Sequence, residues 1–445
     1  MRFFSRYGLF ACLICILWIH RGWAVDRVEE FNKAKRAIVQ QLHNKQPSVR
    51  VEALNRLQEF PIADAVKLIQ GSLTDADGKV HEAALATLLN MSGNQEVCDT
   101  LLTMVRKNVN RKDDSDSVAP LLAVLLSSSL PSVVRETSEF FDKMTASRNG
   151  VNVVVTLADE LGSHHAASDV LPLVRLTKTN FFADHFGIRR AVVQALTRIR
   201  TNEAVGALVE LLPKVRGEAR ADAVEYLAQV TGQIFGMESA AWERWWTDAK
   251  DSFTYPTRSV PAPYRSVALQ TSGYYYGLPL FAERLVFVLD TSGSMHGQRI
   301  AAAKRELVRA IAGLPEHAHF SLVIFNGNVT VWQKQLVPAT AEWKDAATVY
   351  VNAQDAHSNT ASYDALETAF QFDTEAIYFL SDGAPRGGKI DAPVDIVAAI
   401  TAANKTRRIS LYTIGIGAGI PGGPLDMFLK TLAEQNLGLY RRVDG

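Results

Sequence analysis

The segment RLVFVLDTSGS, residues 284–294, decides the fold of the C-terminal part of the chain. Its first residue is followed by five apolar residues, Asp290 comes next, and Thr-Ser-Gly-Ser follows directly. An apolar run without polar alternation is typical of a strand that is covered on both faces, as in a parallel sheet. The segment therefore predicts a buried strand with a cluster of polar side chains at its carboxyl end.

Three later segments show the same character as this first strand. They are HFSLVIF (319–325), EAIYFLS (375–381) and ISLYTIGIG (409–417). Between the first two strands, residues 298–315 have a helical apolar period and stop at a Gly and a Pro. Asn326-Gly-Asn328 then predicts one antiparallel hairpin at the edge of the sheet. The alternation of strands and helices predicts a doubly wound α/β (Rossmann-like) domain over residues 283–445.

Polar side chains stand at three places where such a fold binds ligands, beyond the carboxyl ends of the strands. They are Asp290, Ser292 and Ser294 after the first strand, Thr360 in the loop HSNTASYDAL, and Asp382 in FLSDGAP. Hydroxyl and carboxylate oxygens that converge from separate loops suit a hard divalent cation, Mg²⁺ or Mn²⁺, and lack the nitrogen and sulfur that zinc prefers.

The order of these motifs resembles the metal-ion-dependent adhesion site of a von Willebrand factor A (VWA) domain, and the strand and helix order of the whole second domain is similar to that family. The resemblance implies that Ser292, Ser294 and Thr360 contribute oxygens to the cation. It also implies that Asp290 and Asp382 act close by, often through water.

A site of this kind predicts a protein partner rather than a substrate. Neutral hydroxyls leave most of the cation's charge uncompensated, and octahedral Mg²⁺ keeps an exchangeable water that an Asp or Glu of a partner can replace. We therefore expect non-enzymatic, divalent-cation-dependent protein binding, for adhesion or complex assembly. Members of the family commonly have glycines just before the threonine, where this chain has Ser358 and Asn359.

Two other interpretations stay open. Asp290 at the end of a first strand would also suit a Mg²⁺-dependent hydrolase, such as an aspartyl-phosphate phosphatase of the haloacid dehalogenase kind, although that pattern has a second Asp where Ser292 stands. No G-x-S-x-G nucleophile motif is present in the sequence. Alternatively, the domain is a structural scaffold whose metal site is inactive.

Residues 25–250 have a helical apolar period throughout, and one pattern recurs at a spacing of 31 residues. Its members are Val49, Ala53 and Leu57, then Val80, Ala84 and Leu88, and later Ile188, Val192 and Leu196, followed by Ala219, Ala223 and Leu227. Paired helices of this length resemble short HEAT repeats. Such units stack into a solenoid, whose surface serves either as solvated scaffold or as a second protein-docking surface.

The helical region is predicted to close with an aromatic cap. Trp242, Trp245 and Trp246 fall on one face of a helix at i, i+3 and i+4, a stripe that is typical of core packing. Residues 251–282 contain several prolines and the run Tyr274–Tyr276, with no period, and are predicted to be a linker.

Composition and the N-terminal residues limit the classes of partner and the cellular location that are expected for the protein. The 445 residues carry 47 Lys+Arg against 47 Asp+Glu, so no net charge draws the chain to nucleic acid. Residues 1–24 combine early arginines, a short apolar run and a small residue at Ala24, which predicts a secretory signal peptide. The run is shorter than the roughly 20 residues of a spanning helix. We expect a secreted, periplasmic or cell-envelope protein without an integral membrane segment after signal cleavage.

Overall fold

The computed structural model describes residues 27–109, 115–144, 148–256, 269, 273–417 and 419–444. The predicted signal peptide, residues 1–24, lies outside the described residues. The chain divides into two compact units, residues 1–161 and 162–445. No helix among the described residues has both the length and the apolar character that crossing a bilayer requires.

The first unit is built from successive helices. Their bounds are residues 27–42 (α1), Pro47–Leu57 (α2), Ala63–Gln70 (α3), Gly78–Met91 (α4), Gln95–Asn108 (α5), Ser115–Ser127 (α6), Pro131–Lys143 (α7) and Arg148–Ser163 (α8). Local sequence starts them: Asp77 caps α4 by accepting the N–H groups of Lys79 and Val80, and a proline opens α2. The repeated positions Ala53, Leu57, Val80, Ala84 and Leu88 are fully buried, and Val49 is half-buried.

The second unit begins with six more helices, Val170–Leu176 (α9), Asn180–Asp184 (α10), Phe186–Arg198 (α11), Asn202–Leu211 (α12), Gly217–Thr231 (α13) and Ser239–Ala249 (α14). The repeated positions in α11 and α13 are buried, so the 31-residue period is confirmed as a period of core positions: Ile188, Val192, Leu196, Ala219, Ala223 and Leu227. Trp242 of α14 is fully buried, and its indole N–H donates to the carbonyl of Gly236 at 2.9 Å. Trp245 and Trp246 are half-buried, and the ring of Trp246 lies against Gly206 of α12.

The remainder of the second unit is an α/β domain. Its strands are Tyr274–Tyr275 (β1), Leu278–Pro279 (β2), Arg284–Asp290 (β3), His319–Phe325 (β4), Val329–Val331 (β5), Val337–Pro338 (β6), Ala376–Ser381 (β7), Ser410–Ile416 (β8) and Tyr440–Val443 (β9). Its helices are Gln298–Ala312 (α15), Ala341–Asn352 (α16), Ser362–Ala369 (α17), Pro393–Asn404 (α18) and Pro424–Glu434 (α19). The main sheet has the order β5-β4-β3-β7-β8-β9, and β6 also pairs with β4.

The strand directions confirm the predicted fold. β4, β3, β7, β8 and β9 run parallel, whereas β5 and β6 pair antiparallel with β4. The four predicted strands and the predicted edge hairpin are all present. The strand β9 was not predicted, because its four residues, YRRV, carry two arginines in place of an apolar run.

Both faces of the sheet are covered, as the apolar strands require. On one face Phe287 belongs to a core with Leu307 of α15, and on the other Val288 packs with Leu366 of α17. The β1–β2 hairpin, at the end of the predicted linker, joins the first core: the ring of Tyr275 is buried, with its centroid 5.3 Å from that of Phe287.

Helices α11 and α13 pack against the beginnings of the sheet strands through a buried charged network. Arg190 donates from Nε and Nη2 to the carboxylate of Asp222 at 2.7 and 3.1 Å, and from Nη1 to the hydroxyl of Ser410 at 2.8 Å. The buried carboxylate of Glu218 accepts hydrogen bonds from Ser410 at 2.9 Å and from Tyr412 at 3.0 Å. Each buried charge therefore has charged or hydrogen-bonding partners, as buried ions require.

Two glycines allow these helices to approach the sheet. Gly217, the first residue of α13, has φ +52°, and a β-carbon there would lie 1.7 Å from Oε2 of Glu375. At Gly187 of α11, a β-carbon would lie 2.0 Å from the carbonyl oxygen of Thr406. Neither position has room for any side chain in this packing.

Replacing Gly217 with alanine is expected to lower the free energy of unfolding by about 2 kcal/mol or more, because it adds both backbone strain and overlap with a buried carboxylate. Urea unfolding of the full chain measures the effect. Gly232→Ala, at the other end of α13, is the matched control, because Gly232 has φ +71° but nothing within 4 Å of a β-carbon. Equal losses for the two variants would contradict the tight contact.

The buried Glu375 carboxyl makes stability depend on pH. The pKa of Glu375 is raised to about 8, mainly by burial and also by the nearby carboxylates of Glu218 and Glu283, although the N–H groups of the same two residues donate to Oε2 and oppose the rise. The folded protein thus holds a proton that the unfolded chain releases near the ordinary value of 4.5. Where the folded state binds more protons than the unfolded state, the free energy of unfolding falls as pH rises.

The free energy of unfolding is therefore expected to decline as pH rises from about 5 through 8, and Glu375→Gln is expected to flatten that decline, because the amide carries no proton to lose. Urea titrations at pH 6, 7 and 8 check this. Glu316→Gln, at an exposed position, should leave the slope unchanged. An equally steep decline in the Glu375→Gln variant would show that another group is responsible.

Candidate functional site

The predicted site residues lie at the carboxyl edge of the sheet. Asp290 ends β3 and Asp382 directly follows β7, and these two strands are neighbours in the sheet. Thr360 lies in the loop that leads into α17. The topology therefore brings the three sequence motifs to one edge, as the fold predicts.

Asp290 is fully buried and held from both sides. Its Oδ1 accepts the backbone N–H of Ser292 at 2.7 Å, and its Oδ2 accepts the hydroxyl of Ser381 at 2.5 Å. Burial raises the pKa of Asp290 to about 6, although hydrogen bonds from Ser381 and Ser292 favour the ionised form and oppose the rise. The carboxylate is thus fixed in one orientation.

A chain of hydrogen bonds joins the two serines to the second aspartate. Ser292 Oγ lies 3.2 Å from Ser294 Oγ, and Ser294 donates to Oδ1 of Asp382 at 2.7 Å. The side chains of Ser292 and Asp382 are buried, whereas Ser294 is exposed. A short 3₁₀ turn over Gly293–Met295 presents Ser294 to the edge of the site.

Thr360 flanks the same group of oxygens. Its backbone forms an isolated antiparallel bridge with Arg386, with N···O distances of 3.2 and 2.9 Å. A β-carbon at Gly383 would lie 3.2 Å from Ser294 Oγ and 3.4 Å from Thr360 Oγ1. Both hydroxyls therefore lie close to a residue that has no side chain, and all five predicted residues come together in this part of the structure.

The loop before Thr360 is anchored to the loop after β3. The N–H of Gly293 donates to the carbonyl of Ser358 at 3.0 Å, and the N–H of His357 donates to the carbonyl of Thr291 at 2.9 Å. Ser358 has φ +68°, in the left-handed region that favours glycine. This conformation gives a physical reason for glycines in this stretch, and here a serine adopts it.

Two residues at the site were not singled out by sequence analysis. Ser381 holds Asp290, and Arg299 places Nη1 2.7 Å from Oδ2 of Asp382. Arg299 also donates to the carbonyl of Ser294 at 3.3 Å. The available signal was positional: Arg299 lies in the first turn of the helix after β3, and such a turn starts at the carboxyl edge of the sheet.

The donor set has the chemistry of a hard-cation site. Three hydroxyls and two carboxylates meet here, and oxygen ligands suit Mg²⁺ or Mn²⁺. Across the part of the chain that the structure describes, no three His, Cys, Asp or Glu side chains are grouped as metal ligands. A cation at this edge would therefore depend on the serine and threonine hydroxyls.

Comparison with known proteins locates the family of this domain. The chain is 30% identical over 180 residues to inter-alpha-trypsin inhibitor heavy chain H3 of Bos taurus, covering 38% of this chain and 20% of that protein. It is 32% identical over 181 residues to heavy chain H3 of Mus musculus, with coverage of 38% and 20%. The chain thus spans about one fifth of the length of these curated relatives.

A solved structure, a von Willebrand factor type A protein from Catenulispora acidiphila, is 23% identical with a TM-score of 0.32, covering 37% of this chain and 40% of that chain. The family model described as von Willebrand factor type A domain matches residues 283–442. Residues 283–442 of this chain, which follow a helical N-terminal region, form a von Willebrand factor type A domain.

Proposed function

We propose that this chain is a non-enzymatic protein that binds other proteins in a divalent-cation-dependent manner, for adhesion or complex assembly. The observation that carries the proposal is the convergence of Asp290, Ser292, Ser294, Thr360 and Asp382 at one edge of the sheet. The names of the curated relatives, heavy chains of an inhibitor, support a binding role.

The neutral hydroxyls and the charged carboxylates have different proposed roles. Ser292, Ser294 and Thr360 would hold Mg²⁺ or Mn²⁺ with neutral oxygens, while Asp290 and Asp382 act close by, their carboxylates already oriented by hydrogen bonds. When bound, the cation supplies a Lewis-acidic position that an outside carboxylate can occupy. The partner is therefore a protein that offers an Asp or Glu, and nucleic acid is not expected.

Exposed apolar side chains at the same edge support a protein partner. Val394 is 79% exposed and Ile420 is 77% exposed, and both follow strands, β7 and β8, whose carboxyl ends form this edge. Met427, in the first turn of α19, is 46% exposed. We propose that the partner presents its acidic residue beside an apolar surface.

The remaining parts of the chain complete the proposal. We propose a signal peptide over residues 1–24, a repeat domain over 25–250 that serves as a second docking scaffold, a linker over 251–282 and the binding domain over 283–445. The early arginines and short apolar run support export, to the medium, the periplasm or the cell envelope.

Calorimetric titration of the full chain with Mn²⁺ is expected to show one site, and Asp290→Ala is expected to weaken it at least about tenfold, because a carboxylate near the cation is lost. Ser294→Ala, which removes a hydroxyl at an exposed position, is expected to weaken it as well. The control is Asp345→Ala, which removes an exposed carboxylate from α16.

Thermal melting of each variant shows that it remains folded. Two results would overturn the proposal: the absence of heat when Mn²⁺ is added to the unaltered chain, or unchanged affinity in both site variants.

A further inference from the structure

The guanidinium of Arg299 is built into the wall of the candidate cation site. It lies 2.7 Å from Oδ2 of Asp382, whose side chain is fully buried, while the side chain of Arg299 itself is 38% exposed. The other oxygen of Asp382 accepts the hydroxyl of Ser294. One aspartate of the site is therefore already paired with a positive charge of the protein.

Neighbouring loops hold Arg299 in this position. The carbonyl of Ser294 accepts a second hydrogen bond from Nη1 at 3.3 Å. On the other side, a β-carbon at Gly417, in the loop after β8, would lie 3.0 Å from Nε and Nη2 of Arg299. The guanidinium thus fits between the loops that follow β3, β7 and β8, and it is fixed there rather than free in solvent.

The charges of the site give this arginine a consequence for binding. Asp290, Asp382 and Arg299 together leave one net negative charge, where the two carboxylates alone would leave two. A bound divalent cation would then give the site one net positive charge, whereas without the arginine the loaded site would be neutral. Because Asp290 and Asp382 are buried, their charges are less screened than surface charges, whereas solvent partly screens the guanidinium of Arg299.

We infer that Arg299 is a specificity-determining residue of this site, which lowers its affinity for the cation and keeps the loaded site positive, so that it attracts an anionic carboxylate. This inference rests on the proposed function and deepens it. Arg386, which is exposed and whose backbone pairs with Thr360, places a further positive charge on the adjoining loop.

The inference predicts effects of opposite sign in the Arg299→Gln variant of the full chain. Mn²⁺ alone, titrated by calorimetry, is expected to bind about tenfold more tightly, because a repelling charge is removed. Acetate is expected to bind the Mn²⁺-loaded variant about fivefold more weakly, because an attracting charge is removed. Acetate binding is followed by the loss of water-proton relaxation as it displaces water from Mn²⁺.

Two controls separate charge from structure. Arg299→Lys keeps the charge and is expected to retain both affinities within about threefold, although it lacks the planar fork of arginine. Acetamide, which is neutral, should show no difference between the unaltered chain and Arg299→Gln. Thermal melting without Mn²⁺ reports whether each variant is folded.

The possible results separate a failure of the role inferred for Arg299 from a failure of the proposed cation site. Tighter Mn²⁺ with weaker acetate supports the role of Arg299. If both affinities fall together in Arg299→Gln, the arginine only maintains the shape of the site, and if neither changes it has no role; either result overturns the inference while the cation site stands. If the unaltered chain binds no Mn²⁺, the cation site fails, and the inference fails with it.

Discussion

The parallel pairing of β3 with β7 is the interaction on which the rest of the α/β domain depends. Its register pairs Leu289 with Leu380, so that Asp290 follows one residue, and Asp382 two residues, beyond the last β3–β7 pair. The same strands carry a second function at their beginnings, where Glu375 precedes β7 and receives the N-terminus of α13. The same pair of strands therefore positions the candidate site at one end and the packing surface for helix α13 at the other.

The sequence was sufficient to predict features that depend on local pattern or on topology alone. Apolar runs predicted the buried strands, and the rule that parallel strands end at one edge brought Asp290 and Asp382 together from separate segments. Arg299 and Ser381 required the folded chain, because nothing in their local sequence distinguishes a charged helix residue, or a serine at a strand end, from solvated ones. The strand β9 could not be predicted from the sequence, because YRRV has no apolar run.

The contact between helices and sheet was beyond sequence reasoning for a related reason. Arg190 and Glu218 lie on amphipathic helices, where charged residues usually face water. Here both are buried, and their partners Ser410 and Tyr412 lie about two hundred positions further along the chain. In the sequence, only the glycines at the starts of α11 and α13 indicate close packing. A glycine alone does not predict which residue packs against it.

The position of Gly187 and Gly217 bears on how the domain can be isolated. Both allow their helices to pack at the amino edge of the sheet, opposite the candidate site. Helices α11 and α13 therefore leave the carboxyl edge accessible to a binding partner. A fragment that begins at residue 283 would lack α11 and α13. The side chains that contact Glu218 in the full chain, such as the Tyr412 hydroxyl, would then be exposed to water. The compact unit that contains both helices and the sheet starts at residue 162, well upstream of the family match.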